Sequence, residues 1–361
     1  MNIELTGVKE RQFKNVLVVR TDRIGDVVLS LPMVTVLRSC FPSAKISMLL
    51  RSYTWELAEG YEGLDQMLVY DVDGKPRPFF SFLSELRAHK FDLVVVAHPA
   101  LRLALLVFLA GIPERVGTGY RWYSFLFNNK VFEHRRTAEK HEAEYNLSLL
   151  KAIGCDRERV PLPILRISAS SQETAKSVKR SLGIENSNAV AVLHPGSGGS
   201  AREWSPGNFG ALAKVLHADG YHVIVTGAKN ERALVERVMG FSGGVALPLV
   251  GRLSLKELAA FLRSTDILVS NSTGPLHIAA AVGTPVIGFY PPIRECSPRR
   301  WGPLTEKKVV FVADNALCPR CKGGACQGNE CMDQITVEQV RRATHELVAS
   351  FSRGKEIRAN L

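Results

Sequence analysis

Short aliphatic runs alternate along this chain with longer stretches of helical period. Val16-Leu17-Val18-Val19 and Leu93-Val94-Val95-Val96 carry no polar alternation at all. Strands of that kind are covered on both faces, so they predict a parallel sheet held between helix layers. The pattern predicts strands over residues 15–20, 45–50, 67–70 and 92–97, and helices over 26–39, 79–89 and 101–110. A helix over 140–153 closes on Gly154, a residue suited to a helix C-terminus. Residues 155–167, with Pro161 and Pro163, lose the periodicity and read as a connection. The alternation then restarts, with strands over 189–193, 222–226, 267–269 and 285–289. Helices are predicted over 206–218, 230–239, 254–263 and 274–282.

Two successive sets of βα units predict an α/β protein of two Rossmann-like domains with parallel sheets. The boundaries fall at residues 1–165 and 166–335, and 336–361 forms a C-terminal helix expected to pack back on the first domain. A length of 361 residues suits two cores better than one. Hydrophobic residues at 46% and charged residues at 22% are ordinary globular proportions. The longest apolar stretch, 103–112, is about half of the ~20 residues that a membrane-spanning helix needs. Residues 1–15 hold no signal-peptide core, so the protein is expected in the cytoplasm. Lys and Arg number 46 against 35 Asp and Glu, a net charge of +11 that favours anionic partners. No nucleic-acid-binding signature accompanies the charge, so nucleic acid is not an expected partner.

Ligands in sheets of this kind sit beyond the carboxyl ends of the strands, and three loops there carry candidate chemistry. The first is Arg20-Thr21-Asp22-Arg23-Ile24-Gly25-Asp26. It has one glycine where a dinucleotide fingerprint needs three, and it is no phosphate-loop motif. That weighs against a nicotinamide dehydrogenase. Asp26 could accept a proton from an attacking hydroxyl, or it could only cap its helix. The second loop, His194 to Trp204, offers small residues for backbone approach to an anion, with Ser197 and a positive charge at Arg202. The third, Ser270 to His277, places Ser272, Thr273, Gly274 and His277 at a helix N-terminus, a ready anion site. A base in the first half and two anion-cradling loops in the second suit displacement at a sugar carbon. Positive charge and helix dipoles would stabilise the leaving diphosphate without a bound metal.

These loops, in this order, resemble glycosyltransferase family 9, the lipopolysaccharide heptosyltransferases. The matching pieces are Arg23-Ile24-Gly25-Asp26 with Leu31-Pro32, His194-Pro195-Gly196 with Arg202 and Trp204, and Asn271-Ser272-Thr273-Gly274-Pro275-Leu276-His277. His141 with Asn146, Leu149 and Leu150, and Arg300-Trp301-Gly302-Pro303, add weaker matches. The resemblance implies a GT-B fold with a central cleft and inversion at the anomeric carbon. It implies an anionic glycolipid acceptor on the first domain, contacted by Arg20 and Arg23, and ADP-heptose on the second. Asp26 falls on the family's general base, and Ser197, Arg202, Ser272, Thr273, Gly274 and His277 on the donor side. No cofactor is implied for transfer. A peripheral position at the inner face of the inner membrane follows from such an acceptor. The chain departs from the family at Ser272, where Asp is usual, which leaves the donor sugar open. A different nucleotide sugar and a sugar-nucleotide epimerase are the alternatives. A donor-binding protein with lapsed catalysis is a third, and Asp26 argues against it.

Cys318, Cys321, Cys326 and Cys331 lie close together. Four thiols at this spacing could hold structural zinc or iron, or stay as reduced or redox-sensitive thiols. Cys40, Cys155 and Cys296 read as isolated thiols.

Overall fold

The computed structural model describes residues 12–184, 189–199, 202–314 and 331–359, with side chains described as far as 351. Two six-stranded parallel sheets dominate it. The first contains β1 (Asn15–Val19), β2 (Lys45–Leu50), β3 (Gln66–Val69), β6 (Leu93–Val96), β7 (Glu114–Thr118) and β8 (Asn129–Val131). A small antiparallel hairpin of β4 (Asp71–Val72) and β5 (Lys75–Pro76) sits apart from it. The second sheet contains β9 (Val190–His194), β10 (His222–Gly227), β11 (Leu247–Val250), β12 (Ile267–Asn271), β13 (Val286–Tyr290) and β14 (Lys308–Val312). Spatial orders are β3-β2-β1-β6-β7-β8 and β11-β10-β9-β12-β13-β14. Numbered within each set, both read 3-2-1-4-5-6, the doubly wound order. The central ladders pair Val16 with Leu93 and Ile267 with Ala191. Every residue of β6 and β9 is buried, as their unbroken apolar runs predict.

Helices cover the sheets. The first half supplies α1 (Ile24–Val28), α2 (Leu31–Cys40), α3 (Trp55–Ala58), α4 (Phe79–His89), α5 (Leu101–Leu109) and α6 (Glu142–Lys151). The second supplies α7 (Ala169–Ser181), α8 (Pro206–Ala218), α9 (Arg232–Ser242), α10 (Leu255–Arg263), α11 (Gly274–Ala281), α12 (Pro298–Trp301) and α13 (Val337–Ala359).

The structure differs from the sequence pattern in several respects. The helix expected over 26–39 is two helices. Ser30 Oγ donates to the Asp26 carbonyl at 2.8 Å, and Pro32, in the first turn of α2, has no amide to continue the ladder. The pattern passes over β7, β8, β11 and β14, which are short or only half-buried. As far as its side chains are described, the C-terminal helix lies on the second domain. α13 packs on α8, β13 and β14. Its apolar stripe of Val340, Ala343 and Leu347 joins the second core with Trp204, Phe209 and Phe289, and that site of burial fixes its place. Finally, Cys40 and Cys155 are not isolated. They form a disulfide with Cα atoms 6.1 Å apart, because α2 packs on α6.

Among the described residues, no helix is long and apolar enough to cross a membrane. Of the cysteine cluster, Cys318, Cys321 and Cys326 lie outside the described residues, and Cys331 is buried in the second core.

Candidate functional site

Strand order reverses beside β1 in the first sheet and beside β9 in the second. A crevice opens beyond the carboxyl ends at such points. The loop after β1 carries Asp26, and the loops after β9 and β12 carry the small-residue segments and His277. The two crevices face each other, with α1 against α11.

This contact is built on two glycines. A Cβ on Gly25 would lie 2.7 Å from His277 Cδ2, and one on Gly274 would lie 2.7 Å from the Ile24 Cβ. A side chain at either position wedges the lobes apart. Gly25→Ala is therefore expected to lower the turnover number about 100-fold. Its stability cost should be only about 1–3 kcal/mol, typical of overpacking. Transfer kinetics at saturating donor, beside a denaturant titration, check both.

A cavity of about 190 Å³ lies at the contact, lined by Arg23 and Asp26 from one lobe and by Ser272, Thr273, Gly274 and His277 from the other. Trp301 and Cys296 complete its wall. A larger cavity of about 560 Å³ adjoins it, sharing Arg23, Gly25, Thr273 and Gly274. Ser197, His194, Thr226 and Glu231 give it polar groups, and Leu249 and Leu258 give it an apolar wall. Its size is that of a small-molecule site.

Asp26 does not cap its helix. The N-cap of α1 is Arg23, which makes no side-chain capping bond. The Asp26 carboxylate instead pairs with the Arg20 guanidinium and stays 15% exposed toward the cleft. Arg20 itself is buried, which corrects its expected contact with an acceptor. Its Nε donates to Asp22 at 2.8 Å and its Nη1 to Asn146 at 3.0 Å, and Glu142 lies 3.4 Å from Nη2. Burial opposes the charged guanidinium, but Asp22, Asp26 and Glu142 outweigh it and raise its pKa above the ordinary value. Burial pushes Asp22 up to about 6, against the pull of Arg20. Arg20 thus fixes the Asp26 carboxylate from below and leaves its other face to the cavity.

Glu142 anchors the layer beneath. It is buried and accepts from Arg135, from Arg20, and at 3.1 Å from Arg300 of the opposite lobe. Burial disfavours its charge, but Arg135, Arg20 and Arg300 hold its pKa below the ordinary value. Beside it, His141 Nδ1 accepts from the Ala143 amide at 3.2 Å, so Nε2 carries the proton and donates to the Gly302 carbonyl at 2.8 Å. Asn146 Nδ2 donates to the Leu29 carbonyl at 3.0 Å and ties α6 to the end of α1. None of Glu142, Asn146, Arg135 and Arg300 stood out as chemistry in the sequence. The only signal was the weak family match at His141, Asn146 and Arg300.

On the opposite lobe, Ser197 donates to Glu203 at 2.8 Å through its hydroxyl and at 2.9 Å through its amide. Gly198 and Gly199 take left-handed φ of 57° and 72°, which opens the loop backbone. Asn271 locks the two loops together, accepting from the Trp204 amide at 2.8 Å and donating to the Pro195 carbonyl at 2.6 Å. Thr273 heads α11 without a side-chain capping bond, so the first-turn amides of that helix meet the cavity uncapped. His277 is buried, and its Nδ1 has no hydrogen-bond partner among the described residues. Burial, helped by nearby His141, drives its pKa down to about 3, so the ring is neutral at neutral pH.

The structure therefore brings Arg23, Asp26, Ser272, Thr273, Gly274 and His277 to one cavity, with Ser197 in the next. Arg202 is half-buried on the β9 loop, and among the described residues it lines neither cavity. Cys296, read as an unremarkable thiol, lines the first. The pairing is of one carboxylate opposite a helix N-terminus and an adjoining pocket. It can take a proton on one side and stabilise a departing anion on the other.

Known proteins match this chain over most of its length. Residues 79–330 match the family model described as glycosyltransferase family 9 (heptosyltransferase). A Haemophilus influenzae protein whose name goes no further than glycosyltransferase is 28% identical over 308 residues, spanning 82% of this chain and 89% of its own. An Escherichia coli lipopolysaccharide heptosyltransferase 3 is 27% identical over 305 residues, 80% of this chain and 86% of its own. The solved structure of E. coli ADP-heptose lipopolysaccharide heptosyltransferase II superposes with a TM-score of 0.77 at 19% identity, over 94% of this chain and 99% of that one. That neighbour bears out the two-domain GT-B fold. On these grounds the chain belongs to glycosyltransferase family 9.

Proposed function

We propose that this glycosyltransferase moves heptose from ADP-heptose onto an anionic glycolipid acceptor of the lipopolysaccharide-core type, with inversion. Residues 1–165 hold the acceptor, with Arg23 at its entry, and residues 166–335 hold the donor. The single observation that carries the reading is the cavity shared by Asp26 and the N-terminus of α11 with His277. The acceptor hydroxyl attacks the anomeric carbon while its proton passes to the Asp26 carboxylate. The new carbon–oxygen bond forms as the bond to the diphosphate oxygen breaks, and ADP leaves. Negative charge grows on that oxygen beside the first-turn amides of α11 and Arg23, where positive polarity lowers the barrier. The nucleoside occupies the larger cavity, with Ser197 and its loop amides at the phosphates. Arg202, on the same loop, adds positive charge to the donor side. The relatives named for heptose transfer to lipopolysaccharide support the donor and the acceptor class. An acceptor of that class places the enzyme at the inner face of the cytoplasmic membrane.

Ser272 favours a second reading, an ADP-sugar other than heptose. It lines the cavity where the family usually presents a carboxylate, so a contact to a sugar hydroxyl is made by a neutral group. A thermal-shift panel separates the readings. ADP-heptose at 100 times its Kd should stabilise the enzyme by about 2.7 kcal/mol, and UDP-, GDP- and CMP-sugars far less. A stronger shift with another ADP-sugar would select the second reading, and preference for a UDP-sugar would overturn both. Donor incubated without acceptor should persist, whereas an epimerase would convert it.

A further inference from the structure

The first lobe carries an aromatic rim that the transfer chemistry above does not use. β6, β7 and β8 are parallel neighbours in the sheet headed by β1, so the residues that follow them stand on the same edge as Asp26. Tyr120, Trp122, Phe125 and Phe132 on this edge are 46%, 74%, 66% and 62% exposed. The same segment buries Tyr123, Leu126 and Phe127. Its anchoring is therefore met by those three, and the outward rings are additional. They are also held together. Tyr120 packs edge-on against Phe132 with centroids 5.6 Å apart and stacks on His134 at 3.8 Å. Gly119 leaves no room for a Cβ against the Phe132 ring.

The charge around these rings is basic. Residues 118–140 contain Arg121, Lys130, Arg135, Arg136 and Lys140 against Glu133 and Glu139. Arg121, Lys130 and Arg136 are exposed, while Lys140 pairs with Glu133 at 2.6 Å. Arg121 also lies near enough to His98 to act on it electrostatically, and His98 hydrogen-bonds Thr21 at 2.9 Å, one residue from Arg20. The rim is thus continuous with the acceptor side of the cleft. Aromatic rings with a polar edge settle at the headgroup level of a bilayer, and each basic residue adds attraction to anionic lipid. The rim combines both features on one face.

We propose that this rim seats the first lobe on an anionic lipid bilayer, so that the acceptor's sugar head enters the cleft beside Asp26 while its acyl chains stay in the membrane. The proposal rests on the glycolipid reading of the acceptor. A second copy of this chain is the competing occupant. A two-fold contact would set the same patch against itself and bring like charges such as Arg121 and Arg136 together, which the bilayer's negative surface does not.

Co-sedimentation with lipid vesicles tests it, using phosphatidylcholine vesicles with and without phosphatidylglycerol. Binding is expected to the anionic vesicles and to weaken as salt is raised. The double variant Trp122→Ser/Phe125→Ser should bind them at least about tenfold more weakly. Its thermal midpoint should match that of the unaltered protein, because both side chains are exposed. No sedimentation of the unaltered protein would overturn the proposal. So would equal binding by the variant, or a variant that only converts a dimer to a monomer in light scattering. Neither donor nor acceptor is present in this assay, so its failure is distinct from failure of the transfer reading.

Discussion

Asp26→Asn is expected to lower the turnover number by about 100- to 10,000-fold, the range that a positioned general base contributes. The amide keeps the shape of the carboxylate and its contact with Arg20, but it cannot take up the acceptor's proton. Donor binding should be nearly unaltered, because the loops after β9 and β12 and the N-terminus of α11 are untouched. The expected signature is therefore a fall in the turnover number with an unchanged ADP-heptose thermal shift. The companion change Arg20→Lys should fall between the two. Lysine keeps one positive charge, but it lacks the planar fork that reaches Asp22, Asp26, Glu142 and Asn146 together. Asp26 would then be present but poorly aimed. Unimpaired transfer by Asp26→Asn would remove this carboxylate from the mechanism.

How much of this was legible beforehand depends on the range of the interaction. Strands such as Val16–Val19 announce themselves because burial on both faces allows no polar residue. β8, with Asn129 and Lys130 in its three residues, gives no such signal, since its pairing is decided by its neighbour β7. The loops that bear Asp26 and His277 stood out because each joins a strand to a helix start, a local pattern. The layer below them did not. Arg20 reads as one more basic loop residue until the fold brings Glu142 and Asn146 to it across more than a hundred positions. Arg300 reaches Glu142 from the other lobe entirely. A similar distance hid the Cys40–Cys155 pair. Arg202 stood out for a local reason too, and the structure keeps it half-buried on the loop after β9. Its charge in a small-residue loop suggested phosphate contact, and Ser197 and Gly198 of the same loop line the larger cavity.

The buried cluster leads to the largest expected effect on stability. Glu142→Gln removes the carboxylate that pairs with Arg20, Arg135 and Arg300 together, and leaves Asp22 and Asp26 paired with Arg20. Breaking a buried ion pair from one side costs about 3–5 kcal/mol, because the remaining charge stays out of water. For a lobe of this size that is a fall in Tm on the order of 10 °C. The pH dependence has a definite sign. The folded pKa of Glu142 lies below its unfolded value, so its stabilisation is complete above the unfolded value, about 4.3, and is lost as pH falls through the folded one. The gap between variant and unaltered protein should therefore be widest at neutral pH and close on acidification. Asp22, raised to about 6, works in the opposite direction, and Glu142 contributes least to that rise, so the variant changes it little. Because Arg300 comes from the far lobe, pairing Glu142→Gln with Arg300→Met should restore part of the loss, since one unmatched charge is removed. Denaturant titrations of the two variants at neutral and acid pH provide the comparison. A gap that stays constant with pH would mean that Glu142 holds the lobes by packing alone, without its charge.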